Sequence, residues 1–227
     1  MVRIAEDLSP RRTVIENIDS YVTGMDLSRD GKRALIGARG DVFTVPAKDG
    51  EIRNLTATPG VHERNSVWSP DGRWIAYISD ASGEDEIWIQ AQDGKSPARQ
   101  VTTGGTVYKY APKWSPDSKM LAWGERSQKL RYVEVESGKI TDAAYSPDWE
   151  IVDFNWSPDS KWIAWVKPQV AGMPTINLYS LESGVSKPVT EEWYESANPT
   201  FSPDGKYLYC TSERSFNPVS SETEFNY

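Results

Sequence analysis

Polar turns and short apolar runs alternate along this chain, and the alternation repeats with a period in the low forties. Each period carries the same polar string: Ser28-Arg-Asp-Gly31, Ser69-Pro-Asp-Gly72, Ser115-Pro-Asp-Ser118, Ser157-Pro-Asp-Ser160 and Ser202-Pro-Asp-Gly205, at intervals of 41, 46, 42 and 45 residues. Pro presets the backbone for the second position of a tight turn, Asp bonds nearby backbone, and Gly accepts positive φ, so the string predicts a hairpin tip. Before each tip a short run ends on a large apolar residue: Met25 to Leu27, Val67-Trp68, Lys113-Trp114, Phe154 to Trp156 and Thr200-Phe201. After it comes a second run: Arg33-Ala-Leu-Ile36, Trp74-Ile-Ala-Tyr77, Met120-Leu-Ala-Trp123, Trp162-Ile-Ala-Trp165 and Tyr207-Leu-Tyr-Cys210. Consecutive apolar residues predict a strand covered on both faces.

A third run follows in four repeats (Val42 to Val45, Ile87 to Ile89, Leu130 to Val135, Ile176 to Leu181). A Gly turn and a fourth run complete each of these (Ile52 to Leu55, Arg99 to Val101, Ile140-Thr141, Lys187 to Val189). Four strands per period of this length predict an all-β fold, a β-propeller of four-stranded antiparallel blades, with four complete blades and a partial fifth. Three stretches are expected: residues 1–20 as an N-terminal segment, 21–211 as the blades and 212–227 as a tail ending a truncated blade. Thr13 to Ile18 fits either the outer strand of a neighbouring blade or an N-terminal completion of the fifth. An open arc leaves unpaired blade faces and strand edges, so self-association or end-to-end closure is expected.

Composition narrows the function classes. The 227-residue, 25.5 kDa chain has net charge −8 and a pI near 4.9, which argues against nucleic acid and anionic membranes as partners. Ten Trp and eleven Tyr fall mostly in the predicted strands, where they read as packing between blades. The single Cys210 cannot form an internal disulfide and leans towards a reducing compartment. The N-terminus lacks an apolar signal core, and no run approaches a membrane span.

Chemistry is sparse. His62 is the only histidine and Gly-x-Ser-x-Gly does not occur, so a Ser/His catalytic pair has little to build from, and no catalytic residue is assigned. His and Cys are too few for a metal site, and neither a metal nor a cofactor is expected. Glu84-Asp-Glu86 reads as a solvated acidic turn. Asp93-Gly-Lys-Ser96 lacks the earlier Gly of a phosphate loop, Arg39-Gly-Asp41 is a tight turn, and Asn54-Leu-Thr56 and Asn155-Trp-Ser157 lie in or beside strands. The connections between blades carry aromatic and charged residues, and those at His62, Arg64, Tyr108, Lys109, Tyr110, Trp193 and Tyr194 are the candidate peptide contacts.

The stretches Gly24 to Arg33, Ala38 to Gly50 and Arg53 to Arg64, and onward through Tyr179-Ser-Leu-Glu-Ser-Gly184 to Ser212-Glu-Arg-Ser-Phe-Asn-Pro218, closely resemble the propeller region of the tricorn protease family. Ser-Pro-Asp-Gly repeats are also similar to those of TolB-like proteins and of prolyl-oligopeptidase-type propellers. The tricorn resemblance implies the first five blades of a seven-bladed unit in a large cytoplasmic serine peptidase. Its propeller is expected to guide or filter unfolded peptides towards catalytic domains lying outside this chain, and its other partners are those domains. A TolB-like interaction module and a propeller gate of a prolyl-oligopeptidase-type peptidase are the rival readings.

Overall fold

The computed structural model describes Asn17 and residues 19–214. Of the segment expected at Thr13 to Ile18, all but Asn17 lies outside the described residues, as does the tail beyond Arg214. After a 3-10 turn at Asp19–Tyr21, the first blade holds β1 (Val22–Leu27), β2 (Arg33–Ala38), β3 (Asp41–Pro46) and β4 (Arg53–Asn54). The second holds β5 (Glu63–Trp68), β6 (Trp74–Ser79), β7 (Glu86–Ala91) and β8 (Arg99–Gln100). The third holds β9 (Lys113–Trp114), β10 (Met120–Gly124), β11 (Lys129–Glu134) and β12 (Ile140–Tyr145), and the fourth β13 (Phe154–Trp156), β14 (Trp162–Lys167), β15 (Thr175–Ser180) and β16 (Val185–Pro188). Among the described residues, β17 (Glu195–Phe201) and β18 (Leu208–Glu213) form the fifth. Each blade is an antiparallel meander in sequence order, so four blades are complete and the fifth is partial. β18 passes the expected blade limit of residue 211 by two residues.

The repeated string works through one set of side-chain bonds. In all five turns the Ser hydroxyl donates to the Asp carboxylate at 2.5–2.8 Å. The same hydroxyl accepts the amide five residues on, at Arg33, Trp74, Met120, Trp162 and Tyr207. The Asp also accepts the amide two residues on, so the tip is closed twice. Ser118 and Ser160, both at φ 60, occupy the left-handed position that Gly fills elsewhere, at a cost of roughly 1 kcal/mol. Each hydroxyl offsets that strain by accepting an amide from the preceding blade, Asp71 at 3.0 Å and Asp117 at 3.1 Å.

These bonds favour the charged form of Asp30, Asp71, Asp159 and Asp204. For Asp30 the Lys32 amide, and for Asp159 and Asp204 the Ser157 and Ser202 hydroxyls, do most to lower the pKa. At Asp71 burial opposes ionisation, but Ser69 and Arg73 outweigh it and the value is again lowered. A carboxyl with a lowered folded-state pKa contributes stability that is complete above its ordinary value and is lost as the pH falls through the lowered one. The urea midpoint is therefore expected to drop steeply below about pH 4, and Asp71→Asn with Asp159→Asn to flatten that drop; an unchanged acid limb in the double variant would refute this role.

Three apolar clusters lie between neighbouring blades, and β6 and β10 feed two of them each. Ile75 and Tyr77 of β6 pack with Leu35 and Val42 of the first blade, while Ala76 and Ile78 pack with Leu121 and Trp123 of the third. Ala122, between those two, joins Phe154, Ile163 and Trp165 of the fourth. The aromatic residue before the string ties the inner strands: Trp114 and Trp156 donate their indole N–H to the Val67 and Lys113 carbonyls at 3.4 and 3.1 Å.

Two inner strands are longer than their apolar residues suggest. β5 and β17 begin at Glu63 and Glu195, four and five residues before the expected starts near Val67 and Thr200. Each carries a bulge, with Asn65 at φ 53 and Asn198 at φ 55, which breaks the alternation. At the two ends of the arc apolar side chains face outwards. On β1, Asp26 accepts the Trp68 amide, so its neighbours Met25 and Leu27 point away from the second blade and are 77% and 67% exposed. Tyr207, just before β18, and Tyr209 on it stack on each other, both exposed.

Candidate functional site

The links between blades and the second-to-third-strand hairpins meet on one face, and the seven candidate residues divide among three junctions there. Between the second and third blades, Arg64 on β5 donates to the Lys109 carbonyl at 2.9 Å and forms an ion pair with Asp85. Its guanidinium carbon stands 4.0 Å from the centre of the Tyr108 ring, and Tyr108 meets Tyr110 edge to face at 5.3 Å. Arg64, Tyr108, Lys109 and Tyr110 are thus brought together.

Lys109 does not face solvent. Its Nζ lies 3.3 Å from Glu86 Oε2, both side chains being only 3% exposed, and it also donates to the Asp85 carbonyl. Glu86 is completed by the Thr102 hydroxyl at 2.5 Å and the Gly105 amide at 2.6 Å. The backbone of Lys109 bridges Glu125, a second buried carboxylate held by Arg131 at 3.2 Å. This corrects the reading of residues 84–86 as a solvated turn: Glu86 opens β7 and is buried. Lys109 and Glu86 latch two blades together, leaving Tyr108, 43% exposed, as the accessible member of the group.

Between the first and second blades, His62 is exposed; its amide donates to Asp80 at 2.8 Å and its ring packs over Gly40. Its neighbour Glu63 is buried, with Oε1 accepting the Thr58 hydroxyl at 2.6 Å and Oε2 accepting no hydrogen bond among the described residues. Burial raises the pKa of Glu63, and the Asp41 and Asp80 carboxylates add to the rise against the lowering effect of Thr58 and Thr56. Sequence reasoning grouped Glu63 with the charged link residues without foreseeing its burial, read Asp85 and Glu86 as a solvated turn and passed over Glu125. The one local signal was the recurring acid at the head of a third strand, Asp41 and Glu86, each bonded by a Thr hydroxyl from the following link.

Between the fourth and fifth blades, Trp193 and Tyr194 are 76% and 46% exposed. Arg214 places its guanidinium 5.4 Å from the Tyr194 ring centre. Two open hollows flank Trp193, one reaching Lys167 and Asn177 and the other Cys210 and Arg214. Among the described residues no group of three His, Cys, Asp or Glu side chains is placed to hold a metal ion, and no helix is long and apolar enough to cross a membrane. What this face offers is exposed aromatic surface beside charge, the chemistry of recognition.

The profile of the tricorn protease second beta propeller domain matches residues 22–227. The chain is 31% identical over 198 residues to tricorn protease homolog 1 of Streptomyces coelicolor, covering 84% of this chain and 18% of that protein. The crystal structure of the tricorn protease superposes with a TM-score of 0.80 at 21% identity, over 92% of this chain and 20% of that one. A putative TolB from Agrobacterium tumefaciens superposes at 0.64 with 20% identity, covering 86% of this chain and 72% of that one. The chain therefore spans about a fifth of the length of the tricorn proteins it matches.

Proposed function

Because the chain belongs to the tricorn protease family, as part of its second β-propeller domain, we propose that it is a noncatalytic section of a serine peptidase, guiding or filtering unfolded peptides towards catalytic domains outside this chain. The observation that carries the reading is the exposed aromatic surface of Tyr108, Trp193 and Tyr194 on the face where the blade links gather. Extended peptides present apolar side chains and unpaired backbone, and aromatic residues bind such surface at low entropic cost. Placement in the cytoplasm goes with this reading and suits the exposed Cys210 thiol.

Fluorescence anisotropy with a labelled unfolded peptide of about fifteen residues tests it. The 227-residue chain is expected to bind without cleaving it, and Tyr108→Ala with Trp193→Ala to weaken binding about tenfold, the loss of two aromatic anchors of modest worth. Unchanged binding in the double variant, or cleavage abolished by His62→Ala, would overturn the reading. A TolB-like interaction module would use the same face differently, binding a folded protein and ignoring unfolded peptides.

Self-association belongs to the same proposal. Met25 and Leu27 at one end of the arc and Tyr207 and Tyr209 at the other are two exposed apolar surfaces through which copies would meet. Light scattering is expected to give a dimer or larger species, reduced by Leu27→Glu; a monodisperse particle near 25.5 kDa would refute it.

A further inference from the structure

The hollow on the fourth-blade side of Trp193 has a more specific chemistry than an aromatic surface alone. It is lined by Lys167, Thr175, Asn177, Glu191, Glu192 and Trp193, with Pro188 and Thr190. Two carboxylates face one cation there. Asn177 is only 7% exposed; its Nδ2 donates to Thr175, and its Oδ1, bonded to no donor among the described residues, keeps contact with solvent and can accept an N–H of a ligand. The indole of Trp193 lies open beside it, and Trp gives the strongest cation–π contact of the aromatic residues. The neighbouring hollow already displays this pairing within the chain, Arg214 lying over Tyr194.

We infer that this hollow is a subsite for a cationic side chain, Arg or Lys, of a bound peptide, held by the Trp193 ring, the Glu191 and Glu192 carboxylates and Asn177 Oδ1. The inference rests on the peptide-guiding reading above and gives it a preference: an acidic chain of net charge −8 favours peptides with basic residues. Lys167 opposes a second cation, which limits the subsite to one. Glu192 also accepts the Gln169 amide at 3.2 Å, which holds its carboxylate at the hollow.

The test uses calorimetric titration of the 227-residue chain with two blocked nonapeptides of Gly, Ser and Leu, one with a central Arg and the other with citrulline, its neutral isostere. Because both ends are blocked, binding through a free amino terminus is excluded. The Arg peptide is expected to bind at least tenfold more tightly, with the advantage shrinking as salt rises. Trp193→Ala, and separately Glu191→Gln with Glu192→Gln, should bring it to the citrulline level. All three positions are exposed, so an unchanged melting curve verifies that each variant is folded. Equal binding of the two peptides, or an Arg preference that survives both variants, would overturn the subsite. Equal binding lost on Tyr108→Ala overturns the subsite and leaves peptide guiding intact, whereas no binding of either peptide overturns both.

Discussion

Gly124→Ala is expected to destabilise the chain by about 3 kcal/mol or more, lowering its urea midpoint further than any other single glycine replacement in the blades. Gly124 ends β10, and its carbonyl accepts the Tyr110 amide, which fixes it against the link that leads into β9. An added Cβ would overlap the carbonyl oxygen of Ile151 and stand 3.0 Å from its carbonyl carbon. Neither backbone can retreat cheaply: Ile151 is fully buried in the cluster between the third and fourth blades, and β10 is paired on both sides. Gly24→Ala is the control, because nothing lies within 4 Å of a Cβ there, and it is expected to shift stability by no more than about 0.5 kcal/mol. Similar midpoints for the two variants would show that the link at Ile151 yields, and that the blades are less firmly seated than their contacts imply.

Most of the blade architecture was legible because it is written in local chemistry. Ser, Asp and a residue tolerant of positive φ build the turn within five residues, so the string reports its own hydrogen bonds. The unbroken apolar runs announced two-sided burial, and β6 bears this out by sending Ile75 and Tyr77 one way and Ala76 and Ile78 the other. The inner strands were legible only at their ends. Glu63 to Val67 and Glu195 to Thr200 mix charged, polar and small residues around a bulge, and their pairing is backbone work that leaves no period in the sequence.

The candidate face was legible as a set of connections but not as geometry. His62, Trp193 and Tyr194 are exposed as a loop reading implies, yet Lys109 is buried, and nothing beside it in sequence says so. Its partner Glu86 stands 23 residues earlier on another blade, and charged residues are so seldom buried that each alone reads as surface. Only the pair makes sense of either burial. Glu63 escaped for a related reason, since its hydroxyl and carboxylate neighbours come from β3, β6 and the loop at Thr58.

The buried pair carries the second large effect. Lys109→Met is expected to cost roughly 3–5 kcal/mol, because it leaves the Glu86 carboxylate buried with the Thr102 hydroxyl and Gly105 amide but no cation. Adding Glu86→Gln should recover much of that loss, since a neutral amide needs no counter-charge, giving a coupling between the sites of about 1–3 kcal/mol. Additive losses would mean that the two side chains merely fill space between the blades, and that the latch on this face depends on Arg64 and Asp85 instead.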